Sequence, residues 1–235
     1  MTRTVFRTLE EVRGRFAPCS LAIGNFDGVH VGHQVLINAT VNAAGEKGLA
    51  PSILSFDPHP TAVVAPERRP QLICSLEERI HLLFARGVEQ IFVLPFTPDI
   101  AAMSPREFVS QILVKSLQTK VVVVGENFLF GHRQAGNAPM LRALGSEFGF
   151  ESQLLPPVIV RGEIVSSSAI RRHISLGDVS RAGRLLGRCF SVAGPVVSGR
   201  GVGSKQTVPT LNLRPVPGQV LPRGVFVTET LDQNT

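Results

Sequence analysis

The chain has 235 residues, of which 43% are hydrophobic and 18% are charged, so it can bury a sizeable core in one or two domains. Residues 1–16 carry charges throughout and no apolar run reaches membrane-spanning length, which argues against a signal peptide or membrane anchor and predicts a cytoplasmic protein. Three cysteines without a Cys-x-x-Cys spacing argue against a disulfide framework and a structural zinc site. The formal net charge of +6 favours an anionic ligand, but the absence of Trp and Tyr argues against nucleic acid, so we expect small phosphorylated ligands.

The first strong motif is a short apolar strand, Ser20–Ile23, that leads through a glycine-rich turn into a predicted helix, Gln34–Lys47. Two histidines stand where this helix begins. Free main-chain N–H groups and the positive end of a helix dipole bind phosphate, and imidazoles can add further donors. The turn matches neither the dinucleotide-binding glycine motif nor a P-loop. The candidate phosphate-binding residues are Gly24, Asn25, Phe26, Asp27, Gly28, His30, Gly32 and His33.

The histidine pair has two plainer interpretations. Histidines three positions apart on a helix are often ordinary surface or core residues, and they can also bind a metal ion. No third metal ligand follows at a fixed spacing, and glycines precede and separate the histidines. Phosphate binding is therefore the favoured interpretation.

Strands and helices alternate through the first two thirds of the chain, which predicts an α/β fold with a parallel sheet covered on both faces. Helices are expected to begin at the capping residues Ser75 and Ser104. Further strands are predicted at Pro51–Phe56, Gln90–Phe96 and Lys120–Gly125. Ligands of such sheets bind at the carboxyl ends of the strands. The loops expected to converge there are Asn25–His33, Asp57–Pro60, Pro95–Asp99 and Glu126–Asn137.

Two of these loops carry side chains suited to an organic ligand. Asp57 and His59 lie in a rigid proline-rich turn, and Asn127 and Phe128 lie in a long glycine-rich loop on which a planar ligand could rest. On the residues alone, aromatic side chains that cap the core are the favoured alternative for the second loop.

A second helix start follows a predicted strand, Arg161–Val165. Ser166, Ser167 and Ser168 open this helix, and Arg171 lies on its first turn. Serine is a common N-cap, so the hydroxyls alone predict only a cap. Arg171 favours phosphate binding, because a guanidinium can hold two phosphate oxygens and offset charge on a leaving pyrophosphate.

The pattern changes near Gly187, after a predicted amphipathic helix, Val179–Leu186. Alternating stretches separated by Gly and Pro predict antiparallel strands of a small barrel or sandwich at Phe190–Val197, Val208–Leu213 and Gly224–Thr230. We expect a domain boundary here. The last part should be incomplete, because about fifty residues are few for an independent barrel.

Four motifs resemble the prokaryotic bifunctional riboflavin kinase/FAD synthetase family: Gly24–His33, Phe56–Pro60, Gly125–Gly131 and Val165–Arg171. The resemblance implies a Rossmann-like nucleotidyltransferase domain over residues 1–186 and the first part of an antiparallel riboflavin kinase β-barrel over residues 187–235. It also implies a reaction, in which the phosphate of FMN attacks the α-phosphorus of ATP in the presence of Mg²⁺ to give FAD and pyrophosphate.

The resemblance implies a role for each candidate residue. The residues implied as catalytic, through the ATP phosphates and the transition state, are His30, His33 and Arg171. Those implied to bind ATP are Gly24, Asn25, Phe26, Asp27, Gly28, Gly32, Ser167 and Ser168. Those implied to bind FMN are Asp57, His59, Asn127 and Phe128. The family commonly has threonine where this chain has Ser168, which keeps the hydroxyl.

The segment Pro209–Asn212 resembles the Pro-Thr-x-Asn motif with which the family's kinase domain binds magnesium-ATP. This resemblance implies a metal site at Thr210 and Asn212. The preceding residues, Ser204–Val208, depart from the family pattern. Because the family's catalytic glutamate lies beyond these 235 residues, we expect no riboflavin kinase activity.

Two alternatives remain open at this point. The chain could transfer a nucleotide to another phosphorylated acceptor, or it could be a non-catalytic module that binds flavin, nucleotide or nucleic acid. The choice of acceptor in a transfer assay would identify the first alternative. Ligand binding without product formation would identify the second. The loop at Asn127 and Phe128 favours flavin, and the two phosphate motifs favour turnover.

Overall fold

The computed structural model describes residues 3–198 and 211–230. At its centre is a sheet of six strands: β1 (Thr4–Phe6), β2 (Cys19–Ile23), β3 (Ala50–Asp57), β4 (Gln90–Pro95), β5 (Thr119–Gly125) and β6 (Glu151–Leu155). The strands lie in the order β1-β4-β3-β2-β5-β6, and every neighbouring pair is parallel. The predicted parallel α/β fold is confirmed.

Helices connect the strands and cover the sheet. They are α1 (Leu9–Val12), α2 (Val31–Lys47), α3 (Pro60–Val64), α4 (Leu76–Phe84), α5 (Pro98–Ala102), α6 (Pro105–Glu107), α7 (Ala138–Phe148), α8 (Ser167–Ser175) and α9 (Val179–Leu186). After α6 the chain continues as a π-helix over Phe108–Ser116. None of the described helices has the length and hydrophobicity that crossing a bilayer requires.

Side-chain caps fix where two of these helices begin, as the sequence predicts. Ser75 Oγ accepts a hydrogen bond from the N–H of Glu78 at the start of α4. At α6, Ser104 and Glu107 form a reciprocal capping box. These caps satisfy N–H groups that have no partner within the helix.

Both faces of the sheet are buried. The valine run in β5, Val121–Val124, is fully shielded, as expected for a central parallel strand. Alternate valines belong to two separate core clusters, one around Phe92 and Leu113 and the other around Ile53 and Ile91. The strand period of two therefore divides the core between the two faces.

The central strand β2 marks a change of direction in the topology. The chain adds β3 and β4 on one side of β2 and then returns to place β5 on its other side. Connections diverge at such a switch point and leave a crevice outside the carboxyl ends of the strands. The loops after β2, β3 and β5 surround this crevice.

The predicted strand Arg161–Val165 is confirmed only at Glu163–Ile164. Two short strands, Ile159–Val160 and Glu163–Ile164, pair antiparallel as a hairpin. Arg161 (φ 51°) and Gly162 (φ 80°) are both left-handed, which is the backbone that a tight hairpin turn requires.

In the described residues after α9, regular structure is sparse. The pair Val196–Val197 and Asn212–Leu213 is antiparallel, as expected for a partial barrel, but both strands are shorter than the predicted Phe190–Val197 and Val208–Leu213. Residues 208–210 lie outside the described part of the chain. The predicted strand Gly224–Thr230 is wrong, because these described residues form no strand and the valines among them, Val225 and Val227, are fully exposed.

Candidate active site

The crevice contains two adjoining cavities. The polar cavity has a volume of about 420 Å³ and is lined by Asn25, Asp27, His33, His59, Thr61, Arg68, Pro70, Ser167, Ser168 and Arg171. The second cavity, of about 280 Å³, is lined by His30, Gly32, His33, Val35, Leu36, Gly125, Asn127, Leu155, Pro156, Pro157, Val158, Ile164, Val165, Ser166 and Ser167. His33 and Ser167 line both, so they mark the junction between the cavities. The starts of α2 and α8 meet there, as the two predicted phosphate motifs require.

The loop after β2 has an unusual backbone. Phe26 (φ 51°), Gly28 (φ 80°) and Val29 (φ 40°) all have positive φ. At Gly28 a Cβ atom would also lie 2.9 Å from Cγ2 of Ile73. The position therefore needs glycine for two reasons, and the left-handed valine stores backbone strain that the surrounding contacts must offset.

Asp27 is buried, with 1% of its residue surface exposed. Its carboxylate accepts hydrogen bonds from the N–H groups of Ile73 and Cys74, at 3.0 to 3.2 Å. It also accepts one from Nη2 of Arg171 at 2.7 Å. Asp27 therefore ties the loop after β2 to the segment before α4 and to α8, with most of its acceptor capacity engaged inside the protein.

The two histidines have different tasks at the start of α2. His30 is the N-cap, and its Nδ1 accepts the N–H of His33 at 3.2 Å, so the neutral ring carries its proton on Nε2. The two rings stack with centroids 3.5 Å apart. At Gly32 a Cβ atom would lie 3.2 Å from the His30 ring, so a small residue keeps this geometry.

Burial controls the charge of both imidazoles. It lowers the pKa of His30 from 6.5 to about 4, although the nearby Asp27 carboxylate opposes the shift. Burial, with the neighbouring His30 as a second cause, lowers the pKa of His33 well below its ordinary value. The enclosed His33 Nδ1 has no hydrogen-bond partner within the part of the chain that the structure describes. Near neutral pH both rings are therefore uncharged, and they can act as hydrogen-bond donors to an anion.

The start of α8 combines a cap with exposed polar groups. Ser166 Oγ accepts the N–H of Ala169 at 3.2 Å, so Ser166 is the N-cap. Ser167 Oγ donates to the carbonyl oxygen of Asp27 at 3.1 Å, whereas Ser168 is exposed at the polar cavity. The capping interpretation thus holds for the first serine, and the next two face the crevice.

The residues predicted to bind FMN do not form one group. His59 lines the polar cavity and Asn127 lines the second cavity. Asp57 is exposed at the end of β3 and lines neither. Phe128 stacks on Phe130, with centroids 5.5 Å apart, and packs against the core. The core-capping alternative therefore describes the two phenylalanines.

His59 is linked to the loop after β2 through Asn25. Asn25 Nδ2 lies 3.0 Å from His59 Nε2, and His59 Nδ1 accepts the N–H of Thr61 at 3.2 Å. A neutral imidazole that accepts at Nδ1 carries its proton on Nε2, so the Asn25 amide must turn over to present its oxygen, which has no partner among the described residues, to that proton. His59 thereby fixes the orientation of Asn25, and burial lowers the pKa of His59.

Several buried groups of the site were missed by sequence reasoning. Cys74 Sγ accepts the N–H of Gly28 at 3.2 Å, and Arg79 donates to Ser55 Oγ at 3.3 Å. Ser55 in turn donates to the carbonyl oxygen of Asn25 at 3.2 Å. These residues belong to no motif, and the burial of an arginine within an otherwise ordinary helix gave no signal.

The resemblance to the kinase domain implies one metal site, at Thr210 and Asn212. Asn212 is exposed in its short strand, and Thr210 lies outside the described residues. Across residues 3–198 and 211–230, no group of three or more His, Cys, Asp or Glu side chains is arranged to hold a metal ion. The implied kinase metal site and the expected lack of riboflavin kinase activity stay predictions.

A parallel sheet with two helix starts and a histidine pair over its switch point defines the class as an α/β nucleotidyltransferase-like fold. A pantoate-beta-alanine ligase from Francisella tularensis shares this fold with a TM-score of 0.54 and 13% identity, over 79% of this chain and 78% of that one. Residues 13–169 match the family model for FAD synthetase, and residues 186–235 match the model for riboflavin kinase. The chain belongs to the bifunctional riboflavin kinase/FAD synthetase family, and it is an enzyme of the nucleotidyltransferase type.

Similar proteins support this assignment. A bifunctional riboflavin kinase/FMN adenylyltransferase from Escherichia coli strain K12 is 33% identical over 214 residues, which cover 91% of this chain and 68% of the relative. The protein of that name from Listeria monocytogenes is 33% identical over 211 residues, with 89% and 67% covered. A crystal structure named as a macrolide-efflux protein from Streptococcus pneumoniae has a TM-score of 0.81 and 28% identity, over 94% of this chain and 72% of that one. The predicted family is confirmed, whereas the individual residue roles and the boundary after residue 186 stay predictions.

Proposed function

We propose that the chain transfers AMP from ATP to FMN and releases pyrophosphate. An oxygen of the FMN phosphate attacks the α-phosphorus of ATP. As the new P–O bond forms, the bond from the α-phosphorus to the bridging oxygen of pyrophosphate breaks. Such a transfer needs positioning and stabilisation of charge but no covalent nucleophile from the protein.

The junction between the two cavities carries this proposal. His33 and Ser167 line both cavities, and the amino-terminal ends of α2 and α8 face the same crevice. A ligand that spans the junction has its middle next to both helix starts, where main-chain N–H groups favour negative charge. ATP fits this arrangement because its charged triphosphate joins a less polar nucleoside.

The polar cavity suits phosphate groups. Ser168 and Arg171 line it from α8, and His33 lines it from α2. We propose that these groups hold the β- and γ-phosphates and stabilise the charge that develops on the departing pyrophosphate. Arg171 keeps a fixed direction through its bond to Asp27, so it needs little reorganisation when the substrate binds.

The second cavity suits the adenosine. Its walls include the apolar side chains of Val35, Leu36, Leu155 and Val158, and Asn127 adds a polar group at the end of β5. Pockets for planar organic ligands are mostly apolar with a few placed polar groups. We propose that adenine rests here with its triphosphate directed across His33 into the polar cavity.

Neutral histidines fit a role as donors rather than as fixed cations. His30 keeps its proton on Nε2 because its Nδ1 is occupied by the helix cap. We propose that His30 and His33 donate hydrogen bonds to phosphate oxygens, most strongly as charge builds in the transition state. Bound phosphate would raise the pKa of both rings, because a nearby anion favours the protonated form.

We propose that Mg²⁺ arrives bound to the triphosphate. Magnesium in nucleotide-transfer sites is usually held by substrate phosphates with one or two carboxylates, rather than by a cage of protein ligands. When bound, the ion would neutralise part of the phosphate charge, and the fixed groups of the protein would orient the triphosphate.

For the flavin, the loops after β3 and β5 remain the proposed contacts. His59 lines the polar cavity from the loop after β3, and Asn127 lines the second cavity from the loop after β5. We propose that the FMN phosphate enters the polar cavity beside His59.

The test is an assay of the purified chain with FMN, ATP and Mg²⁺. FAD detected by chromatography and pyrophosphate in equal amount are the expected products. Riboflavin and nicotinamide mononucleotide serve as alternative acceptors, and neither should support the same rate. Absence of FAD, or an equal rate with an unrelated phosphorylated acceptor, would overturn the proposal.

A further inference from the structure

Arg188 lies outside the segment that matches the FAD synthetase model, yet it contacts the loop after β2. Its Nη1 donates a hydrogen bond of 2.7 Å to the carbonyl oxygen of Gly28. On its other side, Nη2 lies 3.9 Å from the carboxylate of Glu78, and a quarter of the side chain is exposed. This arginine lines neither cavity.

The contact falls on the strained part of the loop. Gly28 has φ 80° and Val29 has φ 40°, directly before the N-cap His30. A backbone in this region persists only when surrounding contacts hold it. A rotation of the Gly28–Val29 peptide would move His30 and the free N–H groups at the start of α2.

Different segments hold successive peptide groups of this loop. Ser167 Oγ donates to the Asp27 carbonyl at 3.1 Å, and Cys74 Sγ accepts the Gly28 N–H at 3.2 Å. Gln34 Nε2 donates to the Val29 carbonyl at 2.9 Å. Arg188, which follows the C-terminal end of α9, donates the hydrogen bond to the Gly28 carbonyl.

The backbone around Arg188 fixes its approach. Gly187 ends α9 with φ 71°, and a Cβ atom there would lie 3.2 Å from Cγ2 of Val31. Gln34 Nε2 also donates to the Leu186 carbonyl at 2.9 Å, so the end of α9 rests on the first turn of α2. Arg188 therefore leaves α9 already next to the loop.

Contacts beyond Arg188 continue this attachment. Ser191 Oγ donates to Glu78 Oε1 at 2.6 Å, and Gln219 donates to the carbonyl oxygens of Ile73 and Ser191 at 3.0 and 3.1 Å. Ile73 is the residue whose N–H binds Asp27. Residues within the segment that matches the riboflavin kinase model thus hold the segment on which the loop after β2 rests.

We infer that Arg188 is a positioning residue for adenylyl transfer, and that through the Gly28 carbonyl it holds the loop that aims His30 and the start of α2 at the phosphates. This inference rests on the proposed function. It gives the region after α9 a part in the adenylyltransferase site that is separate from any kinase chemistry.

The test compares Arg188→Ala and Arg188→Lys with Arg184→Ala, an exposed arginine on α9. Steady-state FAD synthesis gives kcat and KM, and thermal unfolding gives Tm. We expect Arg188→Ala to lower kcat/KM by about 100-fold, as displacement of a reacting group by about 1 Å does. Arg188→Lys should recover part of the loss, and Arg184→Ala should match the parent.

Added guanidinium ion at low millimolar concentration should raise the rate of Arg188→Ala and leave Arg184→Ala unchanged. A variant with a lower Tm but parental kcat and KM would show a merely structural role and overturn the inference. If Arg188→Ala does not fold, the same comparison of kcat, KM and Tm is made with Arg188→Lys, and parental kcat and KM in that variant would overturn the inference. Calorimetry of ATP binding tests the inference even if the parent makes no FAD. We expect Arg188→Ala to bind ATP about tenfold more weakly than the parent, because a fixed loop lowers the entropic cost of binding. Equal affinities would overturn the inference.

Discussion

Arg171 Nη2 and Asp27 Oδ2 lie 2.7 Å apart and join α8 to the loop that leads into α2. Asp27 is 1% exposed and Arg171 16% exposed at the side chain. Arg171 also donates from Nε to the carbonyl oxygen of Gln71 at 2.6 Å. The guanidinium therefore reaches the polar cavity from a fixed base, which is the kind of preorganised charge that stabilises a transition state.

Replacing Asp27 with Asn should destabilise the fold and impair turnover together. The amide keeps the size of the side chain but leaves Arg171 without its counter-ion, and breaking a buried pair costs about 3 kcal/mol. Urea unfolding measures this loss. Glu151→Gln is the matched control, because its exposed pair with Lys47 contributes less than about 1 kcal/mol. Equal stability losses in the two variants would contradict the structural role of the buried pair.

Gly28→Ala should be more harmful than Gly48→Ala. Both glycines have positive φ, at 80° and 64°, so both substitutions carry the cost of a left-handed alanine, about 1 to 2 kcal/mol. The added methyl group meets Ile73 at 2.9 Å in the first case and nothing within 4 Å in the second. We expect Gly28→Ala also to lower kcat, since the loop must shift. The difference between the unfolding free energies isolates the clash, and a difference near zero would count against it.

The stability of the protein should fall below neutral pH because of His30. Its pKa is about 4 in the folded chain against an ordinary 6.5, so the unfolded chain binds the proton first as the pH falls. The stabilisation is complete above pH 6.5 and is lost progressively towards pH 4, by up to about 3 kcal/mol.

His30→Asn removes this titration and keeps a side chain that can cap α2. Urea unfolding at pH 7 and pH 4.5 should therefore show a smaller acid loss than in the parent, with a large drop in FAD synthesis. His81→Asn on the exposed face of α4 is the control and should keep the parental difference. An unchanged acid loss in His30→Asn would contradict the assignment.

Asn25 and His59 should act as a unit. If His59 works by orienting the Asn25 amide, then Asn25→Ala, His59→Ala and the double variant should lose similar activity, with a coupling energy of about 1 to 3 kcal/mol in kcat/KM. Effects that add would instead indicate that His59 contacts the substrate independently. His59→Gln, which can still donate to the Asn25 oxygen, should recover part of the activity.

The sequence determined the parallel sheet, most strand positions, and the two helix starts for which we propose phosphate binding. These features depend on local patterns: the valine run of β5, the glycines before His30, and the serines before Arg171. Such patterns fix the period of burial, the backbone angles and the caps within a few residues of chain. The same local information was insufficient for Arg161–Val165, where a left-handed turn replaced a continuous strand.

Only the tertiary structure decided which polar groups face one another. Asp27 and Arg171 are separated by 144 positions, and Arg188 and Gly28 by 160, so no spacing along the chain connects them. Whether an aspartate binds substrate or holds an arginine depends on which donors packing brings within about 3 Å of it. Burial likewise set the neutral state of the two histidines, because desolvation depends on the whole surrounding fold and not on neighbouring residues in the sequence.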